Sequence, residues 1–81
     1  MTNQESDRSV RKHIEQLVGE EHRLYGQKEL SESEQKRLQE VKVELDQCWD
    51  LLRQRRALRE FGEDPDRARV RPPEIVEKYE Q

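Results

Sequence analysis

One cysteine, three glycines, three prolines, one tryptophan, two tyrosines and one phenylalanine are spread through 81 residues. A single cysteine cannot close an internal disulfide, so a stapled extracellular framework is excluded. No stretch approaches the roughly 20 apolar residues that cross a bilayer, and the polar first residues lack the apolar run of a secretory signal. A cytoplasmic protein with no membrane contact is therefore expected. Leu, Ile, Val and Phe together number 17, about a fifth of the chain and close to the level below which chains stay disordered. So small an apolar complement cannot build several packed layers, nor wall off a water-free catalytic pocket. The chain is expected not to be an enzyme and to hold no cofactor or metal.

Charge and helical periodicity are what the sequence does have. Asp and Glu number 19 and Lys and Arg 16, for a net charge of −3. Val10, Ile14, Leu17, Val18, Leu24 and Tyr25 recur at helical spacing, with Ser6 and Asp7 as a starting signal and Gly26 as a stop. A first helix is expected over about residues 7–25. Ser31 and Glu34 have the spacing of a capping box, with Leu30 placed for a weak staple onto Gln35. From there Leu38, Val41, Leu45, Cys48, Leu52, Arg55 and Arg59 alternate in steps of three and four, as a heptad seam does. Neither Gly nor Pro interrupts the chain between Leu30 and Phe61, so a second helix is expected over about residues 32–61.

The short connection makes the two helices antiparallel neighbours. Ile14, Leu17 and Leu24 would face Leu38, Val41, Leu45, Cys48 and Leu52 along the hairpin seam. At 1.5 Å per residue the second helix outreaches the first by about 17 Å. Its overhanging turns carry Leu51 and Leu58 off the main seam, a stripe that a second copy or the chain's own tail must cover. The tail, residues 62–81, starts with a Gly-Glu-Asp-Pro-Asp turn, runs extended to Pro72, and can end in a short helix from Pro73 with Ile75, Val76 and Tyr79 on one side. The expected architecture is all-α: a hairpin domain over residues 1–61 and a tail over 62–81, with two copies forming a homodimeric four-helix bundle.

Charge is unevenly placed, with a net of −4 over residues 1–52, +3 over 53–71 and −2 over 72–81. The positive segment holds seven arginines and no lysine, and a guanidinium suits bidentate pairing with carboxylate or phosphate. Trp49 precedes Arg53 and Arg56 on nearly one helix face. A tryptophan beside a leucine seam is most simply a packing anchor, and arginines amid so many acids most simply pair with them. The sharper reading makes Trp49, Arg53, Arg55, Arg56 and Arg59 an interaction surface for another protein. Nucleic acid is disfavoured as the partner, because Glu60, Glu63, Asp64 and Asp66 dilute the counterion release that drives such binding.

Other polar residues invite weighing. Cys48 on the seam reads as a small core hydrophobe. His13 and His22 fall on opposite sides of one helix and cannot clamp one metal ion, and His22 reads as a boundary residue able to hydrogen-bond across the hairpin. Glu21 interrupts the apolar stripe between Leu17 and Leu24, where a carboxylate must meet a Lys, Arg or backbone group of the facing helix or else lie in a wet site at the loop end of the hairpin.

The run ELDQCWDLLRQRRALREFGEDPD from Glu44 to Asp66, with EEHRLY from Glu20 to Tyr25 and VEKYEQ from Val76 to Gln81, resembles a family of small actinobacterial proteins known as a domain of unknown function. LDQCWDLLRQRRA is its most recognisable string, so the resemblance directs attention to Asp46, Gln47, Cys48, Trp49, Asp50, Arg53, Gln54, Arg55 and Arg56. It implies a helix-rich cytosolic protein and carries no activity, substrate or cofactor. The expected role is that of an adaptor or regulatory subunit that binds a protein, with a nucleic-acid accessory factor as the alternative.

Overall fold

A computed structural model describes residues 3–76, with side-chain surroundings from Asp7 onward. Helix α1 spans Asn3–Tyr25 and α2 spans Glu32–Glu60. A single 3-10 turn follows at Pro65–Arg67 and a one-turn helix, α3, at Pro73–Val76. The fold is all-α, two long helices packed against each other as a hairpin. Its extents of 48 × 25 × 18 Å match the roughly 44 Å that the 29 residues of α2 span.

The seam is the expected one. Ile14 and Leu17 of α1 close on Val41, Leu45, Cys48 and Leu52 of α2, with Val10 and Val18 packed at the margin. Leu24 and Leu38 are also buried, toward the connection. The start of α2 is the capping box: the Glu34 N–H donates to Ser31 Oγ at 3.2 Å, and the Ser31 N–H donates to Glu34 Oε1 at 2.9 Å. Where a Leu30–Gln35 staple was expected, the Gln35 side chain instead donates to the Leu30 carbonyl at 3.3 Å. Gly62 ends α2 with φ of 73°. Around it the Gly62 N–H reaches the Arg59 carbonyl at 3.1 Å and the Glu63 N–H the Leu58 carbonyl at 2.8 Å. These crossed bonds satisfy carbonyls that the last turn leaves free, and they need the left-handed residue that glycine supplies most cheaply.

Two expectations change. Helix α1 begins at Asn3 rather than near Asp7, so Ser6 lies within the helix and the overhang of α2 is shorter. Asp7, free of a capping role, points across to Arg55 and Arg59. The tail is also not simply extended before Pro72. Asp64 caps the turn by accepting the Asp66 N–H at 2.9 Å, and Pro65 is buried beneath it.

The tail runs back along α2 as a third layer. Gln54 donates to the Arg69 carbonyl at 2.7 Å and accepts the Arg69 N–H at 3.2 Å, satisfying both backbone groups of one extended residue. One helical step on, Arg71 pairs with the buried Asp50 at 3.4 Å, and Gln47 donates to the Arg71 carbonyl at 3.0 Å. Thus Gln47, Asp50 and Gln54, at steps of three and four, form a polar ladder that grips the strap. Val76 at its end is 1% exposed. Leu51 and Leu58 are half-buried, the first beside Val70 and the second beside Arg67 and Arg71. The partial cover they have comes from the same chain, and each still lines a cleft. Ile75 is 40% exposed, and Tyr79, expected on the same side, lies outside the described residues.

Candidate functional site

The arginine block of the sequence divides in three dimensions. Arg55 is 4% exposed and cannot be presented to another molecule, which removes it from the expected surface. It reaches Asp7 of α1, the Pro65 carbonyl at 3.1 Å and Asp66 at 3.0 Å, tying α1, α2 and the turn together. Burial raises the Asp7 carboxyl, but hydrogen bonds and charge from Arg55 and Arg59 outweigh it and hold the group below its ordinary value of 3.8. Arg67 pairs with Glu63 at 2.6 Å, and Arg71 with Asp50. For these three arginines, pairing within the chain describes the structure well.

Around Trp49 the pattern differs. Trp49 is 45% exposed, so it is not the packing anchor its place beside the seam suggested. It forms one wall of a cleft of about 190 Å³ between α1 and α2, floored by Leu52 and rimmed by Arg11, Arg53, Arg56 and Arg59. Arg59 shares Asp7 with Arg55, at 3.0 Å. Arg56 lies 3.8 Å from Glu60, an exposed and loose pair. Arg11 and Arg53 have no carboxylate partner among the described residues. Four arginines therefore line one cleft with an indole, and Asp7, already shared with Arg55, is the acid within it. Sequence reasoning found three of the four. It missed Arg11, because only the register of the hairpin brings that residue beside Trp49.

A second cleft, about 340 Å³, opens on the other side of α1, between it and the strap, and is walled by Val10, Leu51 and Val70 with Cys48 at its base. The Cys48 thiol is 3.7 Å from His13 Nδ1, while His13 Nε2 faces Glu44 at 4.0 Å. The two ring nitrogens point to different partners, so these three side chains do not converge on one ion. No group of three metal-ligating side chains occurs among the described residues. Burial, with the charge of Glu44, pushes the thiol pKa up, and Cys48 stays a protonated seam residue. His22 is exposed.

Glu21 is half-buried, and the interhelical carboxylate is its neighbour. Glu20 accepts from Arg37 through both oxygens, at 2.6 and 2.8 Å, and Arg37 also reaches Glu44 at 3.0 Å. The hydrogen bonds from Arg37 hold the Glu20 carboxyl below its ordinary 4.5.

The model of the family described as "Protein of unknown function (DUF2630)" matches residues 6–81. The chain belongs to this family. Its similar relatives include uncharacterized proteins of Mycobacterium tuberculosis (strain H37Rv) and Mycobacterium bovis, each 53% identical over 78 residues, which cover 91% of this chain and 90% of the relative. No solved structure matches the chain. No helix among the described residues is long and apolar enough to cross a membrane. The string by which this family was recognised, LDQCWDLLRQRRA, contains both the strap ladder of Gln47, Asp50 and Gln54 and the cleft residues Trp49, Arg53 and Arg56.

Proposed function

We propose that this member of the family is a small cytoplasmic binding module, not an enzyme, and that the Trp49 cleft is the surface it presents to a protein partner. One observation carries the reading. Among the described residues, Arg37 and Arg55 of α2 and Arg67 and Arg71 of the tail are paired with carboxylates and Arg69 alone of the others is exposed without one, whereas the four arginines clustered around Trp49 share only Asp7 and the loosely held Glu60. Uncompensated guanidiniums around a half-exposed indole have the composition of binding hot spots, which are rich in Trp and Arg. Folding alone gives these side chains no reason to converge.

The test is capture of crosslinked partners in cells, comparing the natural chain with a Trp49→Ala, Arg53→Gln, Arg56→Gln variant, before and after nuclease treatment. A protein partner that survives nuclease and disappears with the variant is the expected result. The same proteins captured by both chains, or capture that nuclease abolishes, contradicts the reading.

A further inference from the structure

Resting on that reading, we infer that the occupant of the Trp49 cleft is an acidic amphipathic helix of the partner protein. The strap fills one side of α2, and on the other side the groove between α1 and α2 is open at this cleft. Trp49, Arg53 and Arg56 follow one another at steps of four and three, so they form a single ridge along α2 about 10 Å long. A third helix laid against that ridge would complete a three-helix packing of the ordinary kind. An apolar residue of that helix would cover Trp49 and Leu52, and glutamates at the same three- and four-residue steps would meet the guanidiniums in bidentate pairs.

The same geometry argues against other occupants. A long polyanion would extend past four arginines onto a chain of net charge −3 and lose its counterion-release advantage there. Single-stranded nucleic acid is held by successive stacked aromatics, and this cleft contains one. A second copy fits no better: antiparallel pairing that sets Trp49 against Glu60 of the other copy brings Arg53 against Arg56 at the symmetry axis, like charge on like.

Trp49 is the only tryptophan, so its fluorescence reports the cleft directly. The probe is a helical peptide about fifteen residues long with glutamates at i, i+4 and i+7 around a leucine, titrated beside its glutamine twin and a single-stranded RNA of equal charge. The glutamate peptide is expected to bind at least about tenfold more tightly than its twin, and to weaken by about tenfold with Arg53→Gln plus Arg56→Gln. Arg67→Gln, which breaks the pair with Glu63 outside the cleft, should leave binding within about twofold. Equal binding of the two peptides, no binding of either, or tighter binding of RNA overturns the inference. Should partner capture still depend on Trp49 while the peptides fail to discriminate, the binding-module reading stands and the acidic helix alone falls.

Discussion

Arg55 sits in the heptad seam where a leucine would suffice, and its guanidinium is used three times over, by Asp7, Asp66 and the Pro65 carbonyl. Replacing it with alanine leaves Asp7 to Arg59 alone and removes the bonds to Asp66 and the Pro65 carbonyl, and is expected to cost about 2 kcal/mol, read as a shifted denaturant midpoint. Acid should act on the same contact. Asp7 and Glu20 both titrate below their ordinary values of 3.8 and 4.5 when folded, so the unfolded chain binds more protons in acid. Their contribution is whole above those ordinary values and disappears as pH falls through the lower folded ones. Stability measured down through this window should decline, and Asp7→Asn should make the decline shallower; an unchanged slope would deny the Asp7 linkage. The capping box was legible because Ser31 and Glu34 lie three residues apart in the sequence and bond each other locally. Arg55 was not, since Asp7 and Asp66 lie on separate elements. The choice between Glu20 and Glu21 needed the phase of α1 to within one residue, finer than an apolar stripe resolves.

The long helices were readable because their signals repeat: the seam from Leu38 to Leu52 recurs over several turns, and Gly62 marks the end. Gly62→Ala would force a side chain into left-handed backbone and should destabilise by about 1 kcal/mol, measured by thermal unfolding; no loss would mean that the crossed bonds closing α2 contribute nothing. The strap was only half legible. Its arginines and prolines suggested an extended run, but its grip depends on Gln47, Asp50 and Gln54, which the family resemblance singled out without saying what they hold. Val76 anchors the far end, and Val76→Ala should lower stability by about 2 kcal/mol, with a loss of protection in the strap beyond that in α1 as the distinguishing sign.

Taken whole, α2 is a spine with α1 along one side and the chain's own tail along another. That arrangement half-buries Leu51 and Leu58 within one chain, so the overhang that led to an expected dimer is partly covered without one. It also leaves the Trp49 cleft with more arginines than acids among the described residues. Hydrogen exchange of the Arg69 amide, followed over a hundredfold range of concentration, tests the in-chain strap most directly, because that N–H donates to Gln54 of α2. Exchange slowed by at least about tenfold relative to an unstructured peptide, and unaltered by dilution, is predicted. Exchange at the unstructured rate, or protection that fades on dilution, would show that the tail does not pack on its own helix.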